Sequence, residues 1–257
     1  MAQLIPIQRQ KEILNILQQE EAVQVSSLAQ RMNVSDLTIR RDLDVLSEKG
    51  LVERSFGGAS LVRTLSREPD YSTKSNQYSV QKKAIGKAAA ALVENGDTIC
   101  INSGSTTFEV IKAIIDSEKA VTIVTNNIGV FPLLSSSMKA KIIFTGGVYR
   151  SISHSVSGPM SLSVLDEIYA SKAFIGVDGF SLEQGLTTPI QEEAITTKSM
   201  IEHTVGKVFA VFTASKIGVV SNFKTVDSNK VSAVITDESG KRLLSDLTNI
   251  GIEAFFA

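Results

Sequence analysis

One cysteine, Cys100, occurs among 257 residues, so no disulfide can form within the chain. It lies in an apolar run, as a buried, inert thiol would, and suits a reducing compartment. No apolar stretch approaches the roughly 18 residues that a membrane span needs. The opening Met1-Ala2-Gln3-Leu4-Ile5-Pro6 has neither the basic flank nor the apolar core of a secretory signal. A cytoplasmic protein without membrane contact is expected. Histidine is nearly absent too: His154 lies in a Ser-rich loop and His203 late in a helical stretch. With no paired carboxylates at fixed spacing, these leave no metal-ligand cluster, no cofactor and no assigned catalytic residue. No internal repeat or low-complexity tract is present.

An excess of charge of one sign is also missing. The net charge is −1, and the first 63 residues hold eight basic and eight acidic side chains. A generally sticky nucleic-acid binder is therefore excluded, and any such contact must rest on local placement. Five of those eight basic residues fall between Arg40 and Arg63.

Three helical patterns open the chain. Residues 8–19 carry Ile13, Ile16 and Leu17 on one face. Residues 25–32 follow, with Ser26 or Ser27 as a possible cap. Asn33 and Val34 break the pattern, since asparagine takes left-handed backbone at low cost. Ser35 caps a third helix that runs to Glu48 and ends at Lys49 and Gly50. Short β-prone runs at 51–55 and 59–63 flank Phe56, Gly57 and Gly58, a hairpin signal. Three helices and a hairpin predict a winged helix-turn-helix domain over residues 1–63, with the helix-turn-helix over about 22–41.

The third helix is the most informative element. At about 100° per residue, Ile39, Leu43 and Leu46 form one buried stripe. Leu37, Arg41, Asp44 and Glu48 point away from it, with Thr38 on one flank and Arg40 on the other. A recognition helix meets base edges with its first turns. Leu37, Thr38 and Arg41 are thus candidates for a DNA major groove, and Arg40 for a base edge or a phosphate. Leu37 suits a thymine methyl. Ser35 can offer its hydroxyl and neighbouring amides to a phosphate, and Arg54 and Arg63 on the wing would add phosphate contacts. Asp42, about 60° off the stripe, is expected to brace the arginine pair. The plainer alternative is a solvated face on which Arg40 and Arg41 pair with Asp36, Asp42 or Asp44.

Residues 64–79 lose all periodicity and read as a linker. Beyond them, strands at 98–102, 121–125, 141–145, 172–177, 207–212, 231–235 and 252–255 alternate with helices at 81–94, 106–116, 127–134, 160–168 and 191–203. This pattern predicts an α/β domain over 80–257 built on a mainly parallel sheet covered on both faces. Ser103, Gly104, Ser105, Thr106 and Thr107 follow a strand and open a helix. They make either a phosphate cradle or an ordinary capped turn. No Gly-Lys-Ser/Thr follows, so nucleotide hydrolysis is not indicated. Asn126, Gly146 and Gly147, Asp178 and Gly179, and Lys216 also come at or just after strand ends, the edge where open α/β sheets bind ligands. Asp178 could hold sugar hydroxyls, and Lys216 a phosphate or hydroxyl.

The span from Arg9 through Ser35-Asp36-Leu37-Thr38-Ile39-Arg40-Arg41-Asp42-Leu43 to Gly57-Gly58 resembles the DNA-binding domain of the DeoR family of bacterial transcriptional regulators, and the resemblance continues through the second domain. It implies a sensor domain similar to the sugar-phosphate isomerase fold, as in ribose-5-phosphate isomerase. In it the 103–107 loop would bind the effector's phosphate, with Asn126, Gly146, Gly147, Asp178, Gly179 and Lys216 lining the rest. The family commonly has an aspartate three residues before the lysine. Thr213 stands there in this chain, which sets polyol recognition in question or signals a different effector. The expected function is repression of a sugar or polyol utilisation operon, relieved by a phosphorylated sugar. The expected partners are double-stranded operator DNA and a second copy or more of the chain, as dimer or tetramer. Two alternatives remain: an isomerase-like enzyme with Asp178 as general base, and an activator whose ligand strengthens DNA binding. The fused DNA-reading module weighs toward a sensor that is not an enzyme.

Overall fold

The computed structural model describes residues 5–20, 22–48, 52–55, 57–61, 63–65, 70–135, 138–242, 247 and 251–257. The chain divides into two compact units, Met1–Thr64 and Leu65–Ala257.

The first unit runs α1 (Pro6–Glu20), β1 (Ala22–Gln24), α2 (Val25–Met32), α3 (Asp36–Glu48), β2 (Val52–Ser55) and β3 (Gly58–Leu61), and the short β4 (Arg63–Leu65) follows. Strands β2 and β3 pair antiparallel as the wing, and β1, which periodicity did not reveal, adds to β3. Ile13 and Leu17 of α1, Leu28 of α2, and Ile39, Leu43 and Leu46 of α3 meet in one apolar core with Val52 and Ala59. The α3 stripe read from the sequence is therefore the buried one. The turn between α2 and α3 is closed by Asn33 in left-handed backbone (φ 51°, ψ 50°). The Asn33 amide donates to Gln30 O, and the Val34 amide to Ala29 O. Helix α2 begins at Val25, ahead of both serines, and has no side-chain cap. Ser35 does cap α3, its Oγ accepting the Thr38 amide at 3.2 Å. Lys49, Gly50, Phe56 and the side chain of Arg63 lie outside the described residues.

Asp42 requires a correction. It is buried, pairs with Arg9 Nε of α1 and accepts Gln10 Nε2 at 3.2 Å. It ties α1 to α3 and does not brace Arg40 or Arg41, because its small rotation off the stripe turns it inward toward α1.

In the second unit the strands that matter are β5 (Thr98–Ile101), β6 (Thr122–Thr125), β7 (Lys141–Phe144), β10 (Ala170–Gly176), β13 (Thr204–Val211), β16 (Ala233–Thr236) and β17 (Glu253–Phe256). They form a parallel sheet in the order β17-β16-β13-β10-β5-β6-β7. These are the seven strands expected from the alternation of the sequence. Successive residues face opposite cores, as a period of two demands. Ile99 and Ile101 face one cluster, with Ile85, Val110 and Ile111 of helices α5 (Ser79–Ala91) and α6 (Ser105–Asp116). Cys100, Ala173 and Ile175 face the other, with Leu165 of α7 (Pro159–Leu165) and Met200 of α8 (Gln191–Glu202). Small antiparallel pairings decorate this frame: β8 (Val148–Arg150) with β9 (Ser155–Ser157), and β11 (Gly179–Ser181), β12 (Gly185–Thr188) and β15 (Phe223–Val226), the last preceded by the short β14 (Val219–Ser221).

From β5 the chain winds outward through β6 and β7, then returns to place β10 on the other side of β5. The strand order thus reverses between β5 and β10, where open α/β sheets form a crevice beyond their strand ends.

Part of the expected linker is ordered differently. Residues Tyr71–Asn76 form α4, capped by Asp70, whose carboxylate accepts the Thr73 amide at 2.9 Å. Tyr71 bonds through its amide to Ile152 O and stacks on His154 at 4.6 Å. Short polar residues and the lack of an apolar stripe hid this helix: every residue of α4 is at least partly exposed.

Candidate functional site

On α3, Leu37, Arg40 and Arg41 are exposed, Leu37 at 58%. Among the described residues neither arginine has an ion pair: Asp42 is engaged with Arg9 and Asp44 with Arg54 at 3.4 Å, while the exposed Asp36 pairs with neither. Arg54 also donates to Arg40 O at 3.2 Å, so it braces α3 from the wing. The Ser35 and Thr38 hydroxyls are 2.9 Å apart. Helix α3 therefore presents an apolar side chain, two unpaired guanidinium groups and a pair of hydroxyls from its first two turns, as groove reading requires.

In the second unit a cavity of about 860 Å³, counting its open mouth, lies beyond the adjacent C-terminal ends of β5, β10 and β13. The β5 loop supplies Asn102, Ser103 and Gly104, and α6 begins there with Ser105 and Thr106. Gly104 sits at φ 150°, a conformation that favours glycine, and a Cβ would come within 3.2 Å of Thr107 Oγ1. The first-turn amides of α6 have no acceptor within their own helix and face this end. Asp178 follows β10, and Thr213, Ser215 and Lys216 follow β13.

The sequence-read residues divide into two groups. Ser103, Gly104, Ser105, Thr106, Asp178 and Lys216 come together on the cavity wall. Thr107, Asn126, Gly146, Gly147 and Gly179 are not on it. Asn126 lies behind the loop, with Oδ1 accepting the Ser103 amide at 2.7 Å and Nδ2 donating to Val156 O at 3.1 Å. Thr107 is buried and donates to Gly104 O. Gly147, at φ 114°, allows a close approach, since a Cβ would lie 2.4 Å from Ser157 O. Gly179 likewise lets β11 pass Val219 O. Asn126 and the two glycines at 146 and 147 follow β6 and β7, outside the β5–β10 reversal.

Sequence reasoning missed Tyr71, Lys74, Gln77, Tyr78 and Lys82, all on the wall. Lys74 Nζ is 2.9 Å from Asp178 Oδ1, and Asp178 Oδ2 accepts Thr188 Oγ1 at 3.0 Å. Burial pushes the Asp178 carboxyl up, but Lys74, Lys216 and Thr188 outweigh it and hold it below the usual carboxylate range. Lys82 is nearly buried and donates to Lys74 O. Burial, then Lys216 and Lys74, pull its ammonium down to about 8, with Glu109 opposing. Burial likewise lowers Lys216, with Asp178 opposing. A carboxylate held this acidic is a weak general base, whereas a cluster of ammonium groups beside a helix N-terminus is an anion site. Among the described residues, no group of three or more His, Cys, Asp and Glu could hold a metal, and no helix is long and apolar enough to cross a membrane.

A winged helix-turn-helix coupled in one chain to an α/β unit with a cationic cavity defines a transcriptional regulator that carries its own sensor. The chain belongs to the DeoR family: residues 9–64 match the DeoR-like helix-turn-helix domain and residues 77–238 the DeoR C terminal sensor domain. The HTH-type transcriptional regulator YgbI of Escherichia coli is 32% identical over 91% of this chain and 91% of its own. The HTH-type transcriptional regulator GlpR of Haloferax volcanii is 30% identical over 91% of each chain. The lactose phosphotransferase system repressor of Staphylococcus epidermidis is 29% identical over 90% of this chain and 92% of its own. Relatives of this kind are named as regulators and repressors. Ribose 5-phosphate isomerase A of Methanocaldococcus jannaschii covers 53% of each chain at 18% identity and a TM-score of 0.38, a likeness too low to bear on function.

Proposed function

We propose that the protein represses a sugar or polyol utilisation operon and that a phosphorylated sugar, bound in the cavity of the second unit, releases it from DNA. The observation that carries this reading is the convergence of Lys74, Lys82 and Lys216 with the α6 N-terminus around Asp178. The cationic side takes the phosphate. Asp178, Thr187, Thr188 and Ser215 offer acceptors and hydroxyls to the sugar. The repressor named for a lactose phosphotransferase system supports the same direction.

At the operator, Leu37, Thr38, Arg40 and Arg41 enter the major groove, while Ser35 and Arg54 hold the phosphate backbone. Ser103 to Thr106 bind the effector directly, and Thr107, Asn126, Gly146, Gly147 and Gly179 shape the loops behind it. Paired operator half-sites call for a homo-oligomer. The effector acts by binding one conformation better than the other, which shifts the population away from the DNA-bound state. Mobility shift on the protein's own promoter, with a panel of sugar phosphates and the parent free sugars, tests the reading. One phosphorylated sugar should weaken the complex and its unphosphorylated parent should not. If no sugar phosphate changes either the shift or the melting temperature, the reading fails.

A further inference from the structure

Away from the cavity, one stretch of the second unit is nearly free of charge. From Ile142 to Leu165 the single Asp, Glu, Lys or Arg is Arg150, and its Nη1 turns inward to Glu193 Oε1. This stretch carries the β8–β9 hairpin, in which Val148 lies opposite Ser157, Tyr149 opposite Val156 and Arg150 opposite Ser155. Strand β9 is buried along its length, whereas β8 is the outer strand and pairs with β9 alone among the described residues. Asn126 fixes the direction of the free backbone groups. The Val156 amide donates to Asn126 O at 2.9 Å, and Val156 O accepts Asn126 Nδ2 at 3.1 Å, so Val156 bonds away from β8. In an antiparallel ladder the residue opposite such a position also turns its N–H and C=O outward. Tyr149 therefore presents an amide and a carbonyl to the open edge.

Edge strands are commonly blunted by lysine or proline, and neither occurs between Ile142 and Gly158. Instead Val148 is 71% and Tyr149 55% exposed, on opposite faces of β8. Ile152 in the hairpin loop is 49% and Met160 of α7 69% exposed, and α7 reaches the base of β8 through Ser161, whose Oγ donates to Gly146 O. At about 200 Å² for each large residue these four expose about 500 Å², over half of the about 800 Å² that each partner gives to a stable interface.

We propose that β8 pairs antiparallel with β8 of a second copy of this chain, across a two-fold axis at Tyr149, so that the two hairpins form one four-stranded sheet. Tyr149 is the middle residue of the strand. Its N–H donates to Tyr149 O of the second copy and its C=O accepts in return, with the two rings as a cross-strand pair. Such an isologous contact satisfies both open edges at once and closes. A second copy fits this edge better than a foreign strand, because one residue supplies donor and acceptor in register and covering the ridge buries no unpaired charge. The hairpin is also held from behind, by Asn126 on Val156 and by Ser155 Oγ donating to Glu193 Oε1 at 3.1 Å. The pairing locates the homo-oligomer that the proposed function calls for and rests on that part of the reading, not on what the cavity binds.

The test uses the full-length protein. Cα atoms of a hydrogen-bonded antiparallel pair lie about 5.5 Å apart, within disulfide reach, so Tyr149→Cys should cross-link two copies on mild oxidation. Ile152→Cys, whose two copies would stand about 20 Å apart, should not. Cys100 is buried and adds no background. Tyr149→Pro removes the outward N–H, which has no bond within the hairpin, and should weaken self-association by about 10- to 100-fold in sedimentation equilibrium. The cross-link comparison stands even if Tyr149→Pro folds poorly. An oligomeric parent in which Tyr149→Cys cross-links no better than Ile152→Cys, or a folded Tyr149→Pro that associates as the parent does, overturns this surface and leaves the proposed function intact. A parent that stays monomeric at every concentration overturns the surface together with the paired half-sites of that reading, while release from DNA by a sugar phosphate is read separately in the mobility shift.

Discussion

Replacing Lys82 with methionine should change stability with a sign that depends on pH. In the folded protein burial, Lys216 and Lys74 hold the Lys82 ammonium near 8, against 10.5 for a solvated lysine. Between those values the unfolded chain carries a proton that the folded chain has lost, so stability rises with pH across that window. Below 8 the folded protein holds a charge its surroundings disfavour. At about 1.4 kcal/mol per pKa unit the ceiling on this cost is about 3 kcal/mol, and solvent at the open mouth screens it to about 1.5–2. Lys82 also donates to Lys74 O, a bond whose loss costs about 1 kcal/mol at any pH. In phosphate-free buffer Lys82→Met should therefore be about 0.5–1 kcal/mol more stable than its parent at pH 7 and about 1 kcal/mol less stable near pH 10.5. For a unit of this size the swing corresponds to about 3–8 °C in Tm, readable by calorimetry of both proteins at each pH. A difference that stays constant across the window, or a variant less stable at pH 7, would refute the reasoning.

Asp42→Ala should destabilise the first unit by about 3–5 kcal/mol, because it leaves the Arg9 guanidinium buried without its carboxylate. Pairing the change with Arg9→Met should recover part of the loss, as followed by amide exchange in α1 and α3. Leu37→Ser should leave the unfolding free energy within about 0.5 kcal/mol of the parent, since Leu37 is 58% exposed, yet weaken operator binding in a mobility shift; unchanged binding removes Leu37 from the groove. Cys100 is buried and its thiol is pushed up to about 12, so it should resist thiol reagents until the protein unfolds, and labelling of the native state would contradict its placement.

The sheet was legible because its inner strands bury residues on both faces and therefore read as apolar runs, from Ile99-Cys100-Ile101 to Val208-Phe209-Ala210. The winged helix was legible because its cues are local: Asn33 at the turn, the Ser35 cap, the Ile39-Leu43-Leu46 stripe and the Gly57-Gly58 hairpin. The cavity was half legible. Strand-end loops point to a sheet edge, but only the strand order says which of them meet. That order separates Ser103, Asp178 and Lys216, beside the β5–β10 reversal, from Asn126 and Gly147 beyond it. Lys74 and Lys82 left no signal, because α4 has no buried side chain and Lys82 lies in a helix whose apolar face explains its periodicity without it.

Both binding surfaces follow one rule in a chain whose net charge is −1. In the first unit two carboxylates of α3 have inward or lateral partners, Asp42 with Arg9 and Asp44 with Arg54, and Arg40 and Arg41 face outward. In the second, Arg150 neutralises Glu193 and a single carboxylate is set among three lysines. Under the proposed function, anion affinity comes in each place from pairing off acidic residues rather than from adding basic ones. A bulk excess of positive charge would attract DNA of any sequence and anions of any kind. Charge left over at α3 and in the cavity places attraction where shape can discriminate. Under the proposed function, Arg9, buried against Asp42, and Arg150, off the cavity wall, are therefore as necessary to selectivity as the cations that face outward or line the cavity.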